Sequence, residues 1–198
     1  MSATNRGAER VANDFYGTPA WATRAILKRL ISRGLRINGT VLEPGCGDGA
    51  IMRELVEQGW HSRQITGVEV DEQRAARAMV AGFNVLVGDL LKPGELALSK
   101  YDLVIGNPPY KLAEAFVMSA LARTEYCAVQ LLRLNWAEAK CRAAFHQNFP
   151  GHLHVLTKRP SFGLNKHGKK GTDATAYAWW QWGGPGYVPG RWEILQVE

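Results

Sequence analysis

The segment Asn107-Pro108-Pro109-Tyr110 follows a short apolar run and combines residue types that can hold a flat amino group. Asn107 offers a side-chain carbonyl as a hydrogen-bond acceptor. Both prolines have fixed φ angles and lack an N–H group, and Pro108 also restricts Asn107 to extended conformations. We therefore predict a stiff loop in which the Asn107 side chain and a neighbouring backbone carbonyl can both accept hydrogen bonds from one external NH2 group.

The chemistry that such a loop favours is methyl transfer to a planar amino nitrogen. An amide-like or aniline-like nitrogen is a poor nucleophile because its lone pair is delocalised. Two accepted hydrogen bonds would orient the nitrogen and direct the lone pair towards an electrophilic methyl group, and orientation of this kind contributes several kcal/mol. Tyr110 adds a flat face on which a ring can stack. The alternative is a proline-rich turn after a buried strand.

A glycine-rich loop, Pro44-Gly45-Cys46-Gly47-Asp48-Gly49, stands between a predicted strand and a predicted helix. Ligands bind open α/β sheets at this edge, and glycine lets the backbone approach them closely. The pattern alone does not identify the ligand, because NAD enzymes, flavoproteins and methyltransferases all use it. A tight turn without a ligand is the alternative.

Acidic residues close to this loop narrow the choice of ligand. Glu43 precedes the loop, Glu69 ends the second predicted strand and Asp89 ends the third. A carboxylate at the end of the second strand can accept hydrogen bonds from both ribose hydroxyls of a nucleoside, and Asp89 lies within reach of an adenine amino group. Asp71 is expected to cap the next helix instead. The three carboxylates indicate a nucleoside pocket, and the absence of a GxGxxG pattern disfavours NAD.

Alternating strands and helices predict an α/β fold with one mainly parallel sheet covered on both faces. Thr18 and Pro19 are interpreted as the N-cap and the first residue of the first helix. The last two strands have no helix between them and should pair as an antiparallel hairpin. The seven predicted strands are 41–43, 65–70, 83–87, 101–105, 126–132, 152–156 and 174–182, and the later helices are 50–58, 71–81, 112–121 and 136–147.

Composition is consistent with a single domain over residues 1–198, with 1–14 expected to be flexible. The net charge of +6 favours an acidic partner such as nucleic acid, although a merely basic protein is the alternative. Cys46, Cys127 and Cys141 show neither CxxC spacing nor neighbouring histidines, so no disulfide framework and no metal site are expected. No apolar run of about 18 residues is present. We expect a cytoplasmic, monomeric protein that does not bind membranes.

The ordered motifs resemble the Rossmann-like class I methyltransferases, and within them the N6-adenine DNA methyltransferases with the gamma order of motifs. The resemblance extends from about Phe15 to Trp182. The segments 158–162 and 177–180 look like small phage-encoded members. The motifs are Tyr-x-Thr-Pro at 16–19, the glycine loop with its preceding glutamate at 43–49, Gly-Val-Glu at 67–69, Asp89, and 107–110.

The resemblance implies S-adenosylmethionine as the cofactor and adenine in DNA as the substrate. Asn107, Pro108, Pro109 and Tyr110 would be catalytic, with Tyr110 stacking on the flipped base. Phe162 would be the second face of that base clamp, unless it is an edge aromatic packed on the hairpin. The implied cofactor-binding residues are Thr18, Glu43, Gly45, Cys46, Gly47, Glu69, Asp89 and Asn107. Restriction-type relatives carry an additional target-recognition domain, for which 198 residues leave no room, so a short or loosely specific target is expected.

A base in a duplex must be flipped out before it reaches a pocket, and phosphate contacts have to offset the cost of unpairing. Basic residues between the last two predicted strands can supply such contacts, which are non-specific and sensitive to salt. A solvated lysine loop is the alternative. The residues concerned are Lys158, Arg159, Lys166, His167, Lys169 and Lys170.

Other substrates and another class of protein remain open at this stage. The same loop serves enzymes that methylate RNA bases or a protein glutamine, although glutamine methyltransferases normally carry an N-terminal helical domain. A non-catalytic nucleic-acid-binding module with a relict cofactor pocket is a further alternative. Tryptophans at 136, 179, 180, 182 and 192 are expected to be core residues, and no role is assigned to 183–198.

Overall fold

The computed structural model describes residues 17–92, 94–138, 140–162 and 175–197. Within these ranges eight strands form one sheet in the order β3-β2-β1-β4-β5-β7-β6-β8. The strands are β1 (Val41–Pro44), β2 (Ile65–Glu69), β3 (Asn84–Val87), β4 (Tyr101–Gly106), β5 (Thr124–Arg133), β6 (His152–Leu156), β7 (Tyr177–Gly183) and β8 (Trp192–Leu195).

Helices cover both faces of this sheet. Apolar residues of the first three helices form one core with one face of the sheet, and those of the last two pack in a second core on the other face. The helices are α1 (Ala20–Ser32), α2 (Ala50–Glu57), α3 (Glu72–Val80), α4 (Ala113–Arg123) and α5 (Ala143–Asn148). Because side chains alternate along a strand, Val129 of β5 belongs to the first core and Ala128 to the second.

The five neighbouring strands β3, β2, β1, β4 and β5 are parallel, so their carboxyl ends meet at one edge of the sheet. The predicted C-terminal hairpin is confirmed, because β6 pairs antiparallel with β7, and β7 pairs antiparallel with β5. Asp71 also caps α3 as predicted: its Oδ1 accepts a 3.0 Å hydrogen bond from the Arg74 backbone N–H. The fold therefore brings the ends of β1, β2, β3 and β4 together, as the motifs require.

An eighth strand, β8, lies in the C-terminal segment to which the sequence assigned no role. It pairs in parallel with β6 at the edge of the sheet. Prediction missed it because Trp192 and Ile194 are exposed on this edge strand. Only four residues take part, so the period-two pattern is short.

The predicted helix over 136–147 is wrong for most of its length. Two 3-10 turns, Leu134–Glu138 and Lys140–Arg142, precede the short helix α5. Trp136 is buried against Phe145 and Trp180. The Arg142 Nε donates to the Trp136 carbonyl at 2.9 Å, the acceptor that an α-helix would use for its own ladder.

The predicted N-cap at Thr18 is also wrong. Pro19 is the N-cap of α1, in an extended conformation, and no side chain caps the helix. The Thr18 hydroxyl accepts instead from the Asn107 amide, so it faces the end of β4. In the part of the chain that the structure describes, no helix is both long and apolar enough to cross a membrane.

Candidate active site

The glycine loop connects β1 to α2 and has a backbone conformation that would be strained for residues other than glycine. Gly45, Gly47 and Gly49 have φ angles of 70°, 57° and 83°, in the left-handed region that favours glycine. The Cys46 N–H donates to the Val68 carbonyl at 2.9 Å, which joins the loop to the end of β2. The loop therefore lies at the carboxyl edge of the sheet, joined to the end of β2.

Glu69, at the end of β2, binds the backbone of this loop. Its Oε2 accepts a 2.8 Å hydrogen bond from the Gly47 N–H, and its Oε1 accepts a 2.9 Å bond from the Asp71 N–H. The side chain is almost fully buried. Each carboxylate oxygen carries two lone pairs, so both oxygens retain acceptor capacity for a ligand hydroxyl. Sequence reasoning located the carboxylate but did not foresee its contacts with the loop.

Glu43, in β1, is a buried carboxyl group at the same edge. Among the described residues no hydrogen-bond partner reaches its Oε2 atom. Burial raises the pKa of this carboxyl well above its ordinary value, and a backbone hydrogen bond from Met52 lowers it only in part. Burial thus favours the neutral form of Glu43 over the charged form. A ligand cation against Oε2 would satisfy this atom and favour the charged form.

Cys46 contributes its backbone to the loop, whereas its side chain points into the core. A Cβ atom at Gly67 would lie 2.6 Å from the Cys46 Sγ, which shows how closely the thiol packs on β2. Burial raises the pKa of the thiol well above its ordinary value. The thiol is thus a packing group, and the Cys46 carbonyl accepts a 2.9 Å hydrogen bond from the Gly49 N–H within the loop. The role of Cys46 in cofactor binding stays a prediction.

Asp89 lies two residues beyond the end of β3 and is half-buried. Its Oδ1 accepts a 2.9 Å hydrogen bond from the Leu91 N–H, and its own N–H donates to Glu95 Oε1 at 2.8 Å. These two bonds fix Asp89 at the same edge of the sheet as Glu43 and Glu69.

The Asn-Pro-Pro-Tyr loop begins where β4 ends at Gly106. A Cβ atom at Gly106 would lie 3.1 Å from Gln130 Oε1 and 3.3 Å from the Pro44 carbonyl oxygen. The glycine therefore allows the end of β4 to approach the end of β1. The Asn107 Nδ2 donates to Thr18 Oγ1 at 3.1 Å. The amide nitrogen thus faces α1, and the amide oxygen at the other end of the group is buried.

Tyr110 lies in a cluster of aromatic and cationic groups. The Arg133 guanidinium carbon is 4.5 Å from the centroid of the Tyr110 ring, and the Arg133 Nε donates to the Tyr177 hydroxyl at 3.1 Å. The ring centroids of Tyr110 and Phe162 are 6.5 Å apart at an interplanar angle of 65°. The two rings meet edge to face, so sandwiching a flat base between them requires one ring to rotate. The clamp formed by Phe162 stays a prediction.

Two of the predicted basic residues fall within the described part of the chain. Lys158 and Arg159 are exposed after β6, and the Lys158 Nζ lies 5.3 Å from the Trp21 ring centroid. This places one cation beside the start of α1, on the side of the sheet that holds Thr18 and Asn107. Lys166, His167, Lys169 and Lys170 lie outside the described residues.

A second group of titratable residues, at the far edge of the sheet, was not foreseen. Ligand-type atoms of His152, His154 and Glu193 lie within 4.8 Å of one another. The imidazole rings are stacked 4.5 Å apart at 18°, so their in-plane lone pairs do not converge on one point. The His152 Nδ1 accepts a long 3.4 Å bond from the Val188 N–H, which places the proton of a neutral ring on Nε2. Arg33 donates to Glu193 at 2.8 Å. This geometry favours a neutralised structural cluster over a metal site.

Solved structures share this architecture along most of the chain. A putative RNA methyltransferase from Pyrococcus horikoshii superposes with a TM-score of 0.70, covering 92% of this chain and 94% of that one at 20% identity. A putative class I S-adenosylmethionine-dependent methyltransferase from Listeria monocytogenes gives a TM-score of 0.63 at 17% identity, over 96% of this chain and 67% of that one. The chain has the class I methyltransferase fold. This is the fold of S-adenosylmethionine-dependent methyltransferases. One similar structure, a magnesium protoporphyrin IX methyltransferase from Synechocystis, contains the bound cofactor. It superposes with a TM-score of 0.55 at 16% identity, covering 82% of this chain and 77% of that one.

Curated relatives match shorter segments, and no family model matches the chain. A ribosomal protein L11 methyltransferase from Thiobacillus denitrificans is 31% identical over 93 residues, 46% of this chain and 31% of that protein. The type II methyltransferase M.TthHB8I from Thermus thermophilus is 38% identical over 77 residues, 36% of this chain and 16% of that protein. A tRNA1(Val) (adenine(37)-N6)-methyltransferase from Proteus mirabilis is 30% identical over 79 residues, 36% of this chain and 31% of that protein. The chain thus spans less than a third of the length of each of these three relatives.

Proposed function

We propose that this chain transfers the methyl group of S-adenosylmethionine to the N6 amino group of adenine in DNA. The observation that carries the proposal is the orientation of the Asn107 amide at the carboxyl edge of the sheet, where the glycine loop also lies. Its nitrogen donates a hydrogen bond to the Thr18 hydroxyl. The amide oxygen is then the atom directed to a substrate amino group. The amino group of adenine is planar and has the two protons that two acceptors require.

The residues of the glycine loop fit the cofactor that the fold implies. When bound, S-adenosylmethionine supplies a methyl group activated by a positively charged sulfur. The left-handed glycines Gly45 and Gly47 leave room for close backbone contact, and Glu43 presents a buried oxygen without a partner among the described residues. We assign Glu43 to the cationic methionine part, Glu69 to the ribose hydroxyls and Asp89 to the adenine amino group.

The catalytic loop would act by holding and orienting the substrate nitrogen. Asn107 Oδ1 and the Pro108 carbonyl would accept its two protons, which localises the lone pair towards the methyl group. Pro108 and Pro109 keep these acceptors in place without an N–H group that would compete for them. Tyr110 would stack on the base, and such stacking contributes about 1–3 kcal/mol per base.

The nucleic acid itself is assigned from charge and from the similarity of motifs. The net charge of +6, with Lys158 and Arg159 exposed beside the catalytic edge, favours a polyanion. The order of motifs favours DNA. RNA is a second candidate, because the Proteus mirabilis relative is named an adenine-N6 methyltransferase of tRNA and the Pyrococcus horikoshii structure a putative RNA methyltransferase.

The decisive experiment offers radiolabelled cofactor to purified protein with DNA, RNA and protein substrates in parallel. Nucleoside analysis identifies the product, and N6-methyladenine in DNA is the expected result. Label in RNA only would transfer the proposal to the second candidate. Cofactor binding without transfer to any substrate would contradict it and point to a non-catalytic binding module.

A variant of the catalytic loop then tests the mechanism. Asn107→Ala removes the amide acceptor, so it should abolish transfer while leaving cofactor affinity largely unchanged. Isothermal titration with S-adenosylhomocysteine measures that affinity directly. Asn84→Ala is a suitable control, because this asparagine lies at the start of β3, away from the catalytic edge. Retention of most of the activity in Asn107→Ala would refute the role assigned to this residue.

A further inference from the structure

An open cavity of about 480 Å³ adjoins Tyr110, and the proposed reaction does not use it. It is formed where β5 ends and the two 3-10 turns begin. Tyr110, Arg133, Asn135, Trp136, Glu138 and Arg142 contribute most of its wall. Neither Asn107 nor Thr18 is among the described residues that line it. The cavity is therefore separate from the point of methyl transfer, although both share the Tyr110 ring. Its volume lies in the range of about 300–1,000 Å³ that is typical of ligand pockets.

We propose that this cavity, the neighbour groove, binds the nucleotide next to the methylated adenine on the same strand. The inference rests on the proposed function and adds a one-nucleotide reading site to it. Consecutive nucleotides are covalently joined, so the neighbour of a base stacked on Tyr110 must lie close to that ring. The groove begins at the same ring, and its other walls have separate surfaces for a phosphate and for a base edge.

Two guanidinium groups suit the phosphate of this nucleotide. Arg142 is held in place by its Nε hydrogen bond to the Trp136 carbonyl, and its guanidinium carbon lies 5.4 Å from the Trp136 ring centroid. Arg133 is held against Tyr110 at 4.5 Å. Arginine presents several N–H groups in a planar fork that matches phosphate oxygens. Because both cations are anchored by protein contacts, less side-chain entropy is lost when a phosphate binds.

Asn135 and Glu138 suit the edge of a base rather than a phosphate. Both side chains are exposed and line the groove. A carboxylate repels a phosphate but accepts a hydrogen bond from an exocyclic amino group, as glutamate does from cytosine N4. An asparagine amide has both a donor and an acceptor for a base edge. The groove therefore favours a neighbour whose edge carries an amino group over thymine or uracil.

The test uses single-adenine oligonucleotides with every base at the 5′ and 3′ neighbouring positions. Methyl transfer gives kcat/KM, and fluorescence anisotropy in the presence of S-adenosylhomocysteine gives Kd independently of catalysis. Glu138→Gln keeps the shape of the side chain and should change the preference between neighbours by about 10-fold. Arg142→Gln should weaken binding to all sequences and lower the salt slope of log Kd by about 1.

Lys140→Gln is the matched control, because Lys140 belongs to the same 3-10 turn as Arg142 but is not among the groove residues. It removes the same charge and should leave Kd and the salt slope near those of the wild type. Melting temperatures check that each variant folds. Equal effects of Arg142→Gln and Lys140→Gln, or an unchanged ranking of neighbours in Glu138→Gln, would overturn the neighbour groove. Absence of methyl transfer by the wild type contradicts the proposed function instead, and the anisotropy series still decides on the groove.

Discussion

The amide nitrogen of Asn107 donates a 3.1 Å hydrogen bond to the hydroxyl of Thr18, 89 residues earlier in the chain. The bond joins the entrance of α1 to the loop after β4. In the proposed reaction, this bond would select the end of the Asn107 amide that meets the substrate. We therefore propose that Thr18 positions Asn107.

Thr18→Val should lower kcat by about 10-fold, because it removes the hydroxyl acceptor and keeps the branched shape of the side chain. Single-turnover methyl transfer at saturating cofactor measures the effect. Thr18→Ser retains the hydroxyl and should keep most of the rate. A valine variant as fast as the serine variant would show that the Asn107 amide is oriented by other contacts.

Glu43→Gln should weaken cofactor binding by about 10- to 100-fold, the loss expected for a hydrogen bond to a charged group. Calorimetric titration with S-adenosylmethionine gives the affinity. The fold should tolerate the change at neutral pH, because burial already disfavours the charged form of Glu43. Equal affinities of the variant and the wild type would remove Glu43 from the cofactor site.

The raised pKa of Glu43 also predicts a pH dependence of folding. The folded state retains a proton that the unfolded chain releases at the ordinary pKa of 4.5. The contribution of Glu43 to the free energy of unfolding therefore falls as the pH rises above 4.5 towards the raised value. Urea denaturation of wild type and Glu43→Gln across this range measures the difference. A difference that does not vary with pH would mean that Glu43 is not protonated in the fold.

Gly67→Ala should destabilise the fold by about 1–3 kcal/mol, because its new Cβ atom would lie 2.6 Å from the Cys46 Sγ. Cys46→Ala removes that sulfur and should rescue part of the loss in a double-mutant cycle. Rescue is partial because the Met52 Sδ would still lie 3.1 Å away. Additive effects of the two changes in thermal denaturation would contradict the contact.

Neutralising Lys166, Lys169 and Lys170 together should weaken DNA binding and flatten its salt dependence, since each lost phosphate contact lowers the salt slope by about 1. Filter binding or anisotropy between low and moderate salt measures both quantities.

The control for this triple variant removes Arg36, Arg63 and Lys100, which precede β1, β2 and β4. These residues lie at the opposite edge of the sheet, so their loss should change binding much less. Binding that falls equally in both triple variants would indicate a general effect of net charge rather than a contact by the lysine segment.

The meeting of Glu43, Glu69, Asp89 and Asn107 at one edge could be predicted, because each follows or ends an apolar strand of a parallel sheet. Local pattern and topology suffice for such residues. The role of Thr18 could not be predicted, since an N-cap is the local preference of Thr before Pro and a bond across 89 residues overrides it.

The contact of Arg133 with Tyr110 was missed for a related reason. An arginine at the end of a strand is usually a solvated charge, and nothing in the local sequence shows which ring will face it. Trp136, in contrast, led to the prediction of a helix that the structure does not have. Its apolar spacing with Phe145 suggested one helix, whereas burial of the indole between Phe145 and Trp180 is achieved by two tighter turns.

Arg33 and Glu193 are joined by a 2.8 Å ion pair across 160 residues, from the end of the first helix to the last strand. During synthesis the guanidinium emerges long before its carboxylate. Until the ribosome has delivered β8, the first helix has no acidic partner at this position, and β6 has an open edge. A chain truncated before residue 192 would therefore present that open edge of β6 to other chains.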